Sequence, residues 1–116
     1  MAYHPNKSKL SVDKLADYLR APVQDHITSG VAIGVGPETI QAFAKEGINS
    51  GFQLHAKFLS FRDPGMDPKV HVESFYQWLC LAQPSPNHRA GLTHAVAEKC
   101  NLMYPGIYDV SAYKDP

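Results

Sequence analysis

The sequence predicts a compact all-α domain of about five helices. Apolar residues recur at helical spacing along most of the chain, and segments rich in proline and glycine separate these stretches. No run alternates convincingly in the manner of a strand. With 116 residues, the chain suits one domain. We expect a loose N-terminal arm over residues 1–10, the helical domain over 11–104 and a tail over 105–116.

Charge and composition limit the classes of function. Lys and Arg total 11 and Asp and Glu total 11, so the formal net charge is zero. This balance argues against a strongly basic nucleic-acid binder, although a local patch can exist within a neutral total. Hydrophobic residues make up 44%, which is typical of a globular protein rather than a disordered one.

Cysteine content and hydropathy indicate the compartment. Cys80 and Cys100 are too few for a disulfide scaffold and fit a reduced, intracellular protein of the nucleus or cytoplasm. The first residues lack the apolar core of a secretory signal. No segment approaches the ~20 apolar residues that a membrane helix needs, so we expect no membrane partner.

The first helix is predicted over residues 11–20. Ser11 is a candidate N-cap, and Pro22 ends the helix because the residue before a proline resists the α region. The predicted buried stripe consists of Val12, Leu15, Ala16 and Leu19. Residues 24–31 are predicted to form at most one short helical turn.

A glycine turn precedes the second helix. The run from Ile33 to Pro37 reads Ile-Gly-Val-Gly-Pro, with the proline at the first helical position, where its missing N–H is not needed. Gly47 is suited to the left-handed position after the helix, with Ile48 folding back. The predicted buried face is Ile40, Phe43 and Ala44.

Three more helices follow. Asn49 or Ser50 can cap a third helix, a loop covers 62–68, and a fourth helix covers about 70–81. Asn87 can cap a fifth, which Pro105 and Gly106 end after about Met103. The expected apolar stripes of these helices are Phe52, Leu54, Phe58 and Leu59; then Val72, Phe75, Trp78 and Leu79; and finally Leu92, Val96 and Cys100.

The glycine turn suggests a site for an anion. The N–H groups of Gly34, Val35 and Gly36, and those of the helix start, can point at one spot that also has the positive end of the helix dipole. Such a site can bind a DNA phosphate without reading bases. The alternative is an ordinary tight connection between two helices.

The order of these features resembles the barrier-to-autointegration factor family over about residues 11–104. The resemblance rests on the glycine turn, the run His55-Ala56-Lys57-Phe58-Leu59, the Phe75-x-x-Trp78-Leu79 stripe and a last helix containing Cys100. It implies a helix-hairpin-helix motif in a compact helical fold. It also implies a homodimer that binds, and can bridge, duplex DNA without sequence specificity.

The resemblance also assigns residues. Gly34, Val35 and Gly36 would meet a phosphate, with Lys14 and Arg89 as flanking cations. Lys45 is a further candidate for phosphate binding, as the first base of the hairpin helix. That helix is rich in lysine in the family and carries Glu38 in its first turn here.

A second hypothesis keeps the fold and replaces DNA by a protein partner. The neutral charge and Glu38 in the hairpin helix favour it. The tail over 105–116 contains Tyr108 and Tyr113, and either lies on the domain as an ordered arm or serves as a docking strap.

No catalytic motif is present, so we expect a non-enzyme without a cofactor. Cys80 and Cys100 lie on apolar stripes, which favours packed thiols over nucleophiles. His88, His94 and Glu98 lie on or near the last helix, but no further ligand motif accompanies them. We therefore expect no metal site.

Overall fold

The first helix is bounded as predicted. In the computed structural model, which describes residues 2–28 and 35–113, helix α1 spans Val12–Arg20. The Ser11 hydroxyl accepts a hydrogen bond from the Lys14 N–H at 3.1 Å, as an N-cap does. The chain leaves the helix at Ala21 with extended dihedral angles, just before Pro22.

Helix α2 spans Pro37–Lys45 and ends in a Schellman motif. Gly47 has φ +78°, a conformation that glycine adopts without a steric penalty. Its N–H donates to the Ala44 carbonyl at 3.0 Å, and the Ile48 N–H donates to the Phe43 carbonyl at 2.9 Å. Ile48 is buried against the core, as the sequence predicts.

Helix α3 spans Gly51–Ser60. Of the two predicted caps, Ser50 is the one used, and its hydroxyl accepts from the Gln53 N–H at 3.0 Å. The Gln53 side chain in turn accepts from the Asn49 N–H at 2.7 Å, so Asn49 and Ser50 both form hydrogen bonds that stabilise the start of the helix.

The segment before the glycine turn differs from the prediction of a short helical turn. Residues 24–28 are not helical, and 29–31 lie outside the described residues. The Gly51 N–H donates to the Gln24 carbonyl at 2.8 Å, and the Ile27 N–H donates to the Asn49 carbonyl at 2.9 Å. These long-range bonds take the place of a local turn. A Cβ at Gly51 would lie 3.0 Å from a Val23 methyl carbon, so the close approach favours glycine.

Helices α4 and α5 form the centre of the domain. Helix α4 spans Pro68–Ala82 and is capped by Asp67, and α5 spans Arg89–Met103. The predicted Asn87 cap is not used, because Pro86–His88 forms a 3-10 turn before α5 begins. The fully buried core side chains include Phe43, Phe58, Val72, Phe75, Leu79, Leu92, Val96 and Cys100. The part of the chain described contains five α-helices and no strand, which confirms the all-α prediction.

Three predicted faces are only partly correct. On α3, Phe52 is 55% exposed although the sequence predicts it in the apolar stripe. Helix α1 has no buried residue, and Val12 at its start is 83% exposed, because α1 lies at the edge of the domain against α5. On α2, Phe43 is buried but Ala44 is exposed, and Thr39 is buried instead. No helix among the described residues is long and apolar enough to cross a membrane.

The described residues of the N-terminal arm and of the tail pack on α5. The sequence predicts a loose arm over 1–10, whereas Tyr3 is 4% exposed and its hydroxyl lies 3.0 Å from that of Tyr108. The Tyr3 N–H also donates to Glu73 at 2.6 Å. Ile107 and Tyr108 are buried, so the described part of the tail lies on the domain as an ordered arm.

Candidate nucleic-acid interface

A groove of about 950 Å³ lies between α1, the start of α2 and the turn before α5. Its lining includes Lys9, Lys14, Asp17 and Tyr18 on one side, Val35, Gly36, Pro37, Glu38 and Thr39 on the second, and Ser85, Asn87 and His88 on the third. The groove therefore contains the described part of the glycine turn.

The start of α2 faces this groove with its first-turn amides uncapped by any side chain of the described residues. Gly36 is the N-cap, and its carbonyl accepts from the Ile40 N–H at 3.0 Å. Its φ of −110° is open to any residue, and a Cβ there would meet no atom within 4 Å. The absence of a side chain at Gly36 thus leaves the helix start accessible to an anion.

The three turn residues have different positions. Gly34 lies outside the described residues. Val35 is 5% exposed, so its side chain belongs to the core and only its main chain can meet a ligand. Gly36 is partly exposed and lines the groove.

Lys14 lies at the groove, whereas two other predicted cations do not line it. Arg89 donates from Nε and Nη2 to the Gln83 carbonyl, at 3.1 and 2.9 Å. Lys45 is in the last turn of the nine-residue α2, about 12 Å along the axis from Pro37. The structure thus brings Lys14 and the turn together and holds Arg89 and Lys45 elsewhere.

Lys9 also lines the groove, although the sequence alone does not indicate it. It belongs to the arm, which packs along α5 so that Ser8 and Leu10 lie beside Gly91. Nothing in the local sequence shows this placement, because it depends on contacts between the arm and a helix some 80 residues later in the chain.

Acidic residues offset the lysines in the groove. Asp17 and Glu38 line it together with Lys9 and Lys14, so the formal charge of these four is zero. Asp17 is also paired with Arg20 at 2.8 Å in an exposed ion pair. The positive end of α2 adds about half a unit charge, which offsets part of the negative charge of Glu38 on the same side of the groove.

A buried lysine fixes the helix that carries Lys14. Lys99 on α5 is 7% exposed, and its ammonium donates to the carbonyls of Tyr18 and Ala21 at the end of α1. Burial lowers the pKa of Lys99. Capping the last carbonyls of a helix with a cation is favourable, so Lys99 anchors α1 at the side of the groove.

The cysteines and histidines considered as nucleophiles and metal ligands have different surroundings. Burial raises the pKa of the Cys100 thiol to about 12, so it stays protonated. Cys80 is partly buried. The His94 Nδ1 lies 3.1 Å from the Tyr108 hydroxyl, and His88 lines the groove. Over 2–28 and 35–113, no three His, Cys, Asp or Glu side chains are grouped as metal ligands would be.

Comparison of the chain with protein-family models, with curated proteins and with solved structures gives no match.

Proposed function

We propose that this chain is a non-enzymatic module that binds the phosphate backbone of duplex DNA without reading its sequence, as its resemblance to the barrier-to-autointegration factor family implies. One observation carries the proposal. The uncapped N-terminus of α2 opens into a groove that Lys9 and Lys14 also line.

The physical basis is the attraction of a phosphate to a helix start and two ammonium groups. Main-chain amides and lysines contact the sugar-phosphate backbone, which carries no sequence information directly. Non-specific affinity for DNA comes chiefly from the number of phosphates neutralised. With two lysines opposed by Asp17 and Glu38, one groove binds weakly.

A homodimer is part of the proposal, because it would present two grooves. Two sites on one duplex, or on two duplexes, raise the overall affinity when both bind at once. Solution mass measured with and without a short duplex tests this directly. We expect a dimer alone and a heavier complex with DNA, and a monomer under both conditions would contradict it.

Lys14 and Lys45 offer a matched test of the groove. Both are exposed lysines on helices, and Lys14 lines the groove while Lys45 does not. We expect Lys14→Ala to weaken binding of a short duplex and to reduce the salt slope by about one. Lys45→Ala should change both much less. Fluorescence anisotropy over a salt series measures the affinity and the slope.

Two outcomes would overturn the proposal. The first is a wild-type protein with no salt-sensitive binding even at low ionic strength. The second is an equal loss in the Lys14 and Lys45 variants, which would locate binding outside the groove.

A second candidate function, interaction with a protein, is favoured by the neutral groove and by exposed apolar side chains at the end of α5 and in the tail. Leu102 and Tyr104 are 63% and 55% exposed, and Met103 and Val110 are also exposed. Such residues are typical of contact surfaces. A pull-down with the wild type and with Leu102→Asp tests this function. We expect a partner that the variant loses, and equal capture by both would contradict it.

A further inference from the structure

Residues of three elements donate hydrogen bonds to Gln83, the C-cap residue that follows α4. Gln83 is completely buried. Its side-chain carbonyl accepts from the Thr39 hydroxyl at 2.6 Å and from the Ser85 N–H at 3.1 Å. Its main-chain carbonyl accepts the two hydrogen bonds from Arg89.

The elements joined in this way are those that form the groove. Thr39 lies in the first turn of α2, and Ser85 lies in the turn before α5; both line the groove. Arg89 is the first residue of α5. A buried side chain thus links the helix start that faces the ligand to the opposite side of the groove.

We infer that Thr39 and Gln83 are positioning residues, which hold the start of α2 in the orientation that a phosphate in the groove requires. The inference rests on the proposed function for the identity of the ligand. It adds that the affinity depends on a buried hydrogen bond that does not touch the DNA.

The hydrogen bond between Thr39 and Gln83 is shielded from water, since Thr39 is 3% exposed and Gln83 is completely buried. Without the Thr39 hydroxyl, the Gln83 oxygen keeps the Ser85 N–H but gains no water in place of the hydroxyl. Without the Thr39 hydroxyl, the start of α2 loses its side-chain link to α4. The helix then samples orientations in which its amides diverge from Lys14, which lowers the fraction of molecules competent to bind.

The chain offers a matched control at Thr93. This threonine is also completely buried, and its hydroxyl donates to the Arg89 carbonyl at 2.8 Å within α5. Replacing it by valine removes a buried hydroxyl of the same kind without releasing α2. The loss of stability should resemble that of Thr39→Val, whereas the groove should be unchanged.

The experiment compares wild type with Thr39→Val, Thr39→Ser and Thr93→Val. We measure anisotropy with a short duplex at low salt and, without DNA, amide hydrogen exchange at Ile40, whose N–H donates to the Gly36 carbonyl. Thr39→Val should bind about fivefold more weakly, the equivalent of one ordinary hydrogen bond. Its Ile40 amide should exchange faster. Thr39→Ser should restore both values, and Thr93→Val should leave both unchanged.

The outcomes separate this inference from the proposed function. If wild type binds DNA and Thr39→Val binds equally well, the positioning role is wrong while the DNA function stands. If both valine variants weaken binding equally, general destabilisation is the cause and the inference is again wrong. If wild type binds no DNA, the proposed function fails. Hydrogen exchange then decides alone, and unchanged exchange at Ile40 in Thr39→Val overturns the inference.

Discussion

Burial controls the ionisable residues behind α1. The Tyr18 hydroxyl lies 2.9 Å from the His55 Nε2, and Lys99 lies over the Tyr18 ring. Burial, followed by the charge of Lys99, lowers the pKa of His55 to about 4, so the imidazole is neutral near pH 7. Burial also raises the pKa of Tyr18, so its hydroxyl keeps its proton near pH 7, and the tautomer of His55 sets which of the two groups donates.

This arrangement predicts that stability depends on pH. His55 has a folded pKa of about 4 and an unfolded pKa of about 6.5, so the unfolded state binds the extra proton between these values. Stability is therefore full above about pH 6.5 and falls as the pH approaches 4, by about 1–3 kcal/mol from this group. Denaturant midpoints across this range, measured for wild type and His55→Gln, test the effect.

The variant should flatten this pH dependence only in part, because burial also lowers the pKa of His71 and His94 in the same direction. The side-chain amide that His55→Gln introduces has an oxygen that can accept from the Tyr18 hydroxyl, so the substitution removes the titrating group while leaving an acceptor in its place. An unchanged slope in His55→Gln would contradict the assignment to His55.

The sequence alone predicts the role of a residue where its hydrogen-bond partner is close in the chain. Ser11 and Gly47 satisfy backbone groups within a few residues, so the sequence alone predicts their roles. The role of Arg89 could not be predicted in this way. Its charge and its place at the start of the last helix made it a candidate phosphate ligand, and only the fold shows that its guanidinium donates to the Gln83 carbonyl.

At the scale of the elements, the helices follow local rules and the segment before the turn does not. The periodicity and breakers locate all five helices, although the start of α5 moves to Arg89 behind a 3-10 turn. Residues 24–28 depart from expectation because Gln24 and Ile27 bond with the segment around Gly51. A local window cannot detect such long-range pairing.

Two glycines on either side of α2 give a matched prediction at this scale. Gly47→Ala should destabilise the protein by about 1–2 kcal/mol, because alanine at φ +78° is strained. Gly36→Ala should change stability by less than about 0.5 kcal/mol, since its backbone is extended and the added Cβ meets nothing.

The effects of the two variants on DNA binding should rank in the opposite order to their effects on stability. The Cβ of Gly36→Ala projects into the space that a phosphate would occupy, so duplex binding should weaken, whereas folded Gly47→Ala should bind normally. Thermal unfolding and anisotropy measure the two effects. Equal stability losses, or unchanged binding in Gly36→Ala, would contradict this account.

At the scale of the whole molecule, the arm and the tail complete the domain. Tyr3 packs against Tyr76, Tyr108 and Tyr113, so the described parts of the arm and the tail meet over the central helices. The sequence could not predict this contact, because the arm has no helical period and Tyr3 is its one buried residue over 2–10. Zero net charge likewise could not indicate where Lys9 and Lys14 would converge.

The tail should therefore contribute to stability. Tyr108 is 3% exposed, so Tyr108→Ala should destabilise the domain by about 3 kcal/mol, the usual cost of removing a large buried side chain. Tyr104→Ala is the matched control, because Tyr104 is 55% exposed. This substitution should lower the free energy of unfolding by less than about 0.5 kcal/mol. Denaturant unfolding measures both, and similar losses would contradict the packed tail.

In the proposed complex, a DNA phosphate lies in the groove between the start of α2 and Lys14. The most direct measurement is a titration of isotope-labelled protein with a short duplex at low salt, followed by amide chemical shifts. We expect shifts at Lys14, Gly36 and Glu38 that diminish as salt is added. The absence of any shift, or shifts confined to Leu102–Val110, would contradict the claim.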